Sequence, residues 1–213
     1  NTFVGKDAGK GGQTSAPYSS GESNTAVGHD ALSGFTTGGS NTAIGKNSGK
    51  SITSGARNTI LGVNAASNLT TGTNNVVLGQ SALSTADGLE RENIVIGYYA
   101  AGGINNDSAI RNVFIGEYAG YGGTGALNYS VAIGYNALKS TGTSGGASGT
   151  VAIGYEAGKA ITSGGTNTVI GYQSAMALTT GGNNIAIGYD SFKSAVDACN
   201  SNVAIGVQAM TAV

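Results

Sequence analysis

Proline, cysteine, tryptophan and charged residues are all scarce in this 213-residue sequence. It contains one proline, one cysteine, no tryptophan and 10 % charged residues, with a formal net charge of −1. The single cysteine, Cys199, excludes an intrachain disulfide framework. Because basic and acidic residues nearly balance, we expect neither nucleic acid nor an anionic membrane as a partner. No run of eighteen apolar residues occurs, so this segment is not predicted to insert into a membrane.

Glycine is abundant, with 38 residues, and twelve of these glycines end one repeated phrase. The phrase reads Asn, then Thr, Val or Ile, then an apolar residue, then Val, Ile or Leu, then Gly. Successive repeat glycines are separated by 23, 17, 17, 17, 18, 19, 18, 20, 17, 17 and 18 residues. They are Gly5, Gly28, Gly45, Gly62, Gly79, Gly97, Gly116, Gly134, Gly154, Gly171, Gly188 and Gly206. Such a period, with one short apolar strand per unit, is typical of a solenoid whose coils bury a face against one another.

We number positions in each repeat from its glycine, with negative numbers toward the N-terminus. Position −1 is always Val, Ile or Leu, from Val4 to Ile205, and is predicted to be the core position of the strand. Position −3 lies on the same strand face, and position −2 lies on the opposite face. Position −2 is also apolar in every repeat, and a strand that is apolar on both faces is covered on both sides. We therefore expect position −1 inside the coil and position −2 at an interface between copies of the chain.

Polar and small residues recur at three further positions. Position −4 is asparagine in ten of the twelve repeats, with Ser130 and Thr150 in the other two. Stacked asparagines are predicted to form a hydrogen-bonded ladder along the solenoid. The repeat glycine is predicted to adopt a backbone conformation that a side chain would forbid. Position +3 is always Ala or Ser, which indicates tight packing at that corner.

These patterns predict an all-β fold, a parallel β-solenoid or β-roll of about 12 coils with 17–23 residues each. Copies are predicted to pack or intertwine as a homotrimeric fibre. We interpret residues 1–213 as a single solenoid repeat domain and as an internal fragment of a longer fibre protein. Length variation falls after position +3, so the insertions at residues 11–23 and 141–149 are predicted to project from one side of the coil.

The phrases at residues 41–45, 130–138 and 202–206 read Asn-Thr-Ala-Ile-Gly, Ser-Val-Ala-Ile-Gly-Tyr-Asn-Ala-Leu and Asn-Val-Ala-Ile-Gly. In them the chain resembles the repeat region of bacteriophage tail-fibre proteins and the related head repeats of trimeric autotransporter adhesins. The resemblance covers the whole chain, and the period and the Thr-Thr-Gly turns are closer to the tail-fibre type. The adhesin heads form a left-handed parallel β-roll that associates as a trimer. For this chain the resemblance implies a rigid, homotrimeric, extracellular rod that presents or forms a receptor-binding surface. It implies no reaction.

A stripe of tyrosines supplies the candidate binding residues. Five tyrosines directly follow a repeat glycine, namely Tyr98, Tyr135, Tyr155, Tyr172 and Tyr189. Two interpretations stay open: a stacking ladder between coils or chains, or a surface that contacts a host glycan through the rings. His29 is the only histidine, and no carboxylate pair recurs at a defined position. The sequence therefore indicates no enzyme, no catalytic residue, no cofactor and no metal site.

Three classes of function follow from this pattern. The first is a structural extracellular fibre or adhesin shaft, most simply a phage tail fibre that attaches to the host cell surface, with itself and a host glycan or protein as partners. The alternative is a bacterial trimeric adhesin or a self-assembled extracellular filament, located on the cell surface rather than the virion. Ice binding is disfavoured, because the threonines of position −3 are interrupted from Val76 to Val151 and share the strand face predicted to be buried.

Overall fold

A computed structural model describes residues 1–12, 19–105, 109–122, 127–140, 146–194 and 199–211, and this part of the chain contains strands and turns but no helix. Each strand is three residues long and occupies positions −3 to −1 of a repeat. The strands are β1 Thr2–Val4, β2 Thr25–Val27, β3 Thr42–Ile44, β4 Thr59–Leu61, β5 Val76–Leu78, β6 Ile94–Ile96, β7 Val113–Ile115, β8 Val131–Ile133, β9 Val151–Ile153, β10 Thr168–Ile170, β11 Ile185–Ile187 and β12 Val203–Ile205. We number each coil after the strand with which it begins.

All twelve strands form one parallel sheet whose order is the order of the sequence. Each residue pairs with the residue at the same repeat position in the next strand, as Ala26 pairs with Ala43. Parallel neighbours need a crossover connection, and here the remainder of each repeat is that connection. The predicted all-β, parallel solenoid is therefore confirmed.

The number of complete turns is less well defined than the number of strands. Five of the eleven connections between consecutive strands contain residues outside the described ranges. The count of about 12 coils therefore stays a prediction. The insertions at residues 11–23 and 141–149 also include residues outside the described part, 13–18 and 141–145, so their predicted projection stays a prediction as well.

The two strand faces are reversed relative to the sequence-based prediction. Position −2 points into the coil, and Ala26, Ala43 and Ile60 are completely buried there. Position −1 points outward, where Leu61 is 46 % exposed, and position −3 shares this outer face, where Ile94 is 40 % exposed. The prediction that position −1 forms the core and position −2 forms an interface between chains was wrong.

The physical reason for this arrangement is the narrow interior of the coil, where position −2 lies opposite position +4. Large residues at one position accompany small residues at the other, as in the pairs Phe114 with Gly120 and Ala132 with Leu138. A Cβ atom on Gly120 would lie 2.5 Å from the Phe114 ring. Where both positions are small, as at Gly158 and its partner, Ile161 fills the space from position +7. Position −1 carries a large aliphatic residue in every repeat. Such residues could not fit inside the coil opposite position +4, where the size of the residue varies from repeat to repeat.

The asparagine ladder is confirmed and lies in the interior. Asn58 Nδ2 donates to the Gly72 carbonyl at 2.8 Å and to Asn41 Oδ1 at 3.0 Å. Asn58 Oδ1 in turn accepts from the backbone N–H of Asn75 at 3.0 Å and from its Nδ2 at 3.1 Å. Asn58 thus satisfies polar groups on both neighbouring coils, which ties these coils together with bonds worth about 1 kcal/mol each.

The size pairing inside the coil yields a testable exchange. Phe114→Ala should leave a cavity and cost about 3–5 kcal/mol of unfolding free energy. Gly120→Leu should cost a similar amount, because the new side chain overlaps the Phe114 ring. The double variant reproduces the Ala132 and Leu138 pair of the next coil, and Leu138 adopts nearly the same backbone φ, 51°, as Gly120, 57°.

We therefore expect the double variant to be more stable than either single variant, with a coupling of at least about 2 kcal/mol in urea unfolding. If the losses of unfolding free energy in the two single variants simply add in the double variant, positions −2 and +4 do not face each other inside the coil.

Candidate interaction surfaces

The outer face of the sheet, which we call the aliphatic face, consists of positions −3 and −1 of every coil. Position −1 is aliphatic in all twelve repeats, and position −3 is aliphatic in seven and threonine in five. The threonines are Thr2, Thr25, Thr42, Thr59 and Thr168. Because the strands pair in register at a spacing of about 4.8 Å, the side chains form two straight rows along the solenoid.

The aliphatic face is unusual for its continuity. In coils 5 to 9, from Val76 to Ile153, all ten of its side chains are Val, Ile or Leu. They are half-buried or exposed, whereas position −2 of the same strands is fully buried. Soluble monomers rarely expose contiguous apolar patches of more than a few hundred Å². The five strands give a wholly aliphatic strip about 20 Å long, and such a strip is a candidate contact surface.

A second surface, which we call the tyrosine face, consists of positions +1, +2 and +5 in coils 6 to 11. Of the nine described tyrosines, eight lie on it, and Tyr129 is the exception. The eight are Tyr98, Tyr99, Tyr118, Tyr121, Tyr135, Tyr155, Tyr172 and Tyr189. The turn that follows the repeat glycine carries positions +1 and +2, so the face adjoins the aliphatic face along one edge.

Four of the predicted candidates form a continuous stack on consecutive coils, the tyrosine ladder. Its ring centroids are 5.4 Å apart between Tyr135 and Tyr155, 5.0 Å between Tyr155 and Tyr172, and 5.3 Å between Tyr172 and Tyr189. The rings are nearly parallel, with interplanar angles of 9–14°. Each of the four tyrosine residues is 40–50 % exposed. The ladder thus has most ring faces turned toward one another and its edges turned toward solvent.

Tyr98, the fifth predicted candidate, does not join this stack. Glu117 occupies position +1 of coil 7, between Tyr98 and Tyr135 in the column. Tyr98 instead packs edge to face against Tyr99 at 4.7 Å and against Tyr118 at 5.9 Å.

The contacts of Tyr98 belong to a tyrosine cluster that sequence reasoning missed. Tyr118 stacks on Tyr99 at 5.7 Å and contacts Tyr121 at 5.4 Å. Lys139 Nζ lies 4.7 Å from the centre of the Tyr118 ring, a cation–π arrangement. Desolvation raises the pKa of Tyr118, and Tyr98 contributes in the same direction. The signal for the cluster was present in the sequence as tyrosines at position +2 of two adjacent repeats and at position +5 of the second.

Polar side chains fill the tyrosine face beside the ladder. Glu156 accepts hydrogen bonds from Lys159 at 2.7 Å and from Gln173 at 2.9 Å, and Gln173 accepts one from Lys193 at 2.8 Å. The hydrogen bond from Lys159 lowers the pKa of Glu156, so this carboxylate is ionised at neutral pH. Its charge in turn raises the pKa of Tyr155. The Tyr155 hydroxyl therefore remains a neutral phenol that can donate and accept hydrogen bonds.

The described residues show neither a cluster of three or more potential metal-ligating side chains nor a helix long and apolar enough to cross a bilayer. Comparison with protein-family models, with curated proteins and with solved structures found no match.

Proposed function

We propose that this chain forms the shaft of an extracellular attachment fibre, in which copies associate through their aliphatic faces. The single observation that carries the proposal is the continuous aliphatic face itself. Exposure of that face to water is unfavourable by roughly 25 cal/mol per Å² of apolar surface, and a second copy offers the same apolar surface to cover it. The sequence-based proposal of an interface between chains is thereby kept but moved, from position −2 to positions −3 and −1.

The proposed assembly is a homotrimer of solenoids of about 12 coils, and the proposed setting is a phage tail fibre that reaches the host cell surface. Three copies with parallel axes can turn their aliphatic faces toward a common axis, so each face is covered by the other two. A rigid rod with an apolar interior between chains provides reach and stiffness. The tyrosine face lies at the edge of this surface, where it stays accessible from outside.

Paired lysine substitutions on two adjacent coils test the proposal. Ile170→Lys with Ile187→Lys places two charges in the aliphatic face. Thr166→Lys with Asn183→Lys places the same two charges in the same two repeats at exposed position −5, where Arg57 already occurs naturally. In sedimentation we expect the first variant to lose the multimer seen for the unchanged chain and the second to retain it. Circular dichroism checks that both variants keep the strands.

Two results would contradict the proposed interface. One is retention of the same multimer by the variant with lysines at positions 170 and 187. The other is equal disruption by both variants, which would show that added charge rather than the aliphatic face controls assembly.

A further inference from the structure

We propose that the tyrosine face binds an uncharged, extended polysaccharide that runs parallel to the solenoid axis and contacts the ring edges and phenol hydroxyls. This inference rests on the proposed attachment function, for which it names the class of partner. The first observation is the uneven distribution of tyrosine. Position +1 in coils 1 to 5 is occupied by Lys6, His29, Lys46, Val63 and Gln80. Since those coils have the same architecture, the fold itself does not require tyrosine at this position.

The stacking geometry decides which part of each ring can reach a ligand. Tyr155 and Tyr172 are stacked with an interplanar angle of 9° and centroids 5.0 Å apart, and Tyr189 continues the stack at 5.3 Å. Both faces of Tyr155 and of Tyr172 are therefore covered by neighbouring rings. A sugar therefore cannot stack on these two rings. Tyr155 is 42 % exposed and Tyr172 is 44 % exposed, and these exposed parts can contact a ligand only through ring edges and hydroxyl groups. The ladder presents a row of phenol groups rather than an aromatic platform.

The spacing of this row suits a polymer rather than a single small ligand. The rings repeat every 5.0–5.4 Å along the axis, which is comparable to the length of one pyranose unit in an extended chain. Each unit could thus meet an equivalent hydroxyl on the next coil. The rings are already held by stacking and by the in-register strands, so little side-chain entropy is lost on binding.

Charge on the tyrosine face favours an uncharged ligand over a polyanion. Coils 6 to 11 contribute three lysines at position +5, and three carboxylates at positions +1 and +2, to this face. Lys159 pairs with Glu156 at 2.7 Å, and Lys193 pairs with Asp190 at 3.0 Å. The formal charges of the face cancel, so there is no excess of cations to hold an acidic glycan or a nucleic acid. The paired groups and Gln173 still offer hydrogen bonds to sugar hydroxyls.

Affinity electrophoresis in native gels tests this inference, with hydroxyethyl cellulose and a galactomannan as uncharged probes with extended backbones and alginate as the acidic control. We expect retardation by at least one uncharged polymer and none by alginate. Tyr155→Ala with Tyr172→Ala should weaken the retardation at least ten-fold. Tyr129→Ala removes a tyrosine that is 57 % exposed but lies off the face, and it should have no effect.

A phenylalanine variant separates edge contact from ring stacking. Tyr155→Phe with Tyr172→Phe keeps the stacked rings and removes only the hydroxyls, so edge binding predicts at least a three-fold loss. Full retardation of this variant, or no retardation of the unchanged chain by either uncharged polymer, would overturn the inference.

The mass of each variant in sedimentation gives an independent readout of assembly. We expect the tyrosine variants to keep the mass of the unchanged chain. A loss of assembly by the alanine variant would assign the ladder to contacts between copies and overturn the glycan site. A multimer that binds no polysaccharide would overturn only the site and leave the proposed shaft intact.

Discussion

Gly97→Ala is expected to abolish the folded solenoid. Gly97 has a φ of 137°, which side-chain-bearing residues rarely adopt, and an added Cβ would lie 2.5 Å from the carbonyl oxygen of Gly116 in the next coil. The obstructing atoms are backbone atoms of a parallel neighbour, so no side-chain rotation can relieve the overlap. Backbone strain of about 1–3 kcal/mol adds to the separation of two coils, and we expect a total loss above about 4 kcal/mol.

Thermal unfolding followed by circular dichroism measures this loss, and Gly149→Asn provides the matched control. Gly149 also has a positive φ, 72°, but asparagine occupies the equivalent position −5 at Asn74 and Asn183 with φ values of 58° and 59°. The atom nearest to a Cβ on Gly149 is a side-chain methyl carbon of Thr166 at 3.2 Å. The control should change stability by less than about 1 kcal/mol. A Gly97→Ala variant that unfolds within a few degrees of the unchanged chain would contradict the close approach of the coils.

Asn58→Ala is expected to have a similarly large effect, on the order of 4 kcal/mol. The substitution removes the donor to the Gly72 carbonyl and the acceptor for the Asn75 backbone N–H. It also removes the hydrogen bonds between the side chain of Asn58 and the side chains of Asn41 and Asn75. Each buried polar group that is left unsatisfied costs about 1–3 kcal/mol, and urea unfolding measures the sum.

Asn58→Ser is the informative comparison for the ladder. Serine occurs naturally at position −4 as Ser130, where its Oγ is 3.0 Å from the Asn128 carbonyl and 3.3 Å from the Ala147 carbonyl. A serine can therefore replace part of the network, and we expect it to cost about half as much as alanine. Equal stability of the alanine variant and the unchanged chain would show that the ladder contributes no net stability.

Much of the fold could be predicted from the period and from single columns of the repeat. The strands occupy the predicted aliphatic positions, and the asparagine ladder forms where position −4 indicated. These features depend on contacts between equivalent residues of adjacent coils, such as Asn41 with Asn58. A column of aligned residues carries that information directly.

The direction of the strand faces could not be read from single columns. The uniformity of position −1 indicated a constraint but not whether that constraint acts inside the coil or outside it. The missing information lay in the relation between positions −2 and +4. A large residue at position −2 occurs with glycine at position +4, as Phe3 with Gly9 and Phe114 with Gly120. Compensating sizes identify residues that share one confined space, and uniform size is typical of a repeated external contact.

The reversed faces also alter the argument on ice binding. The threonines of position −3 lie on the exposed face, so the reasoning that they would be buried was wrong. Their interruption by aliphatic residues from Val76 to Val151 remains, and in those coils the face is wholly apolar. The proposed coverage by other copies of the chain fits that composition better than an ordered water layer does.

Of the tyrosine face, only the tyrosines at repeat position +1 could be predicted from the sequence. Tyr135, Tyr155, Tyr172 and Tyr189 stack because position +1 carries tyrosine in four consecutive coils. The cluster around Tyr118 combines three different positions of two coils, so its contacts depend on how the chain turns after the repeat glycine. That turn includes a left-handed residue at position +2, where Tyr118 itself has a φ of 54°.

The most direct test of the central claim is the solution mass of the unchanged chain, measured by analytical ultracentrifugation and paired with electron micrographs of its shape. Association through the aliphatic face predicts a rod with three times the chain mass of 20.8 kDa. A mass of two chains would keep the interface and contradict the trimer. A soluble rod of 20.8 kDa would contradict the claim that copies cover the aliphatic face, and thermal hysteresis of that monomer would assign the face to ice.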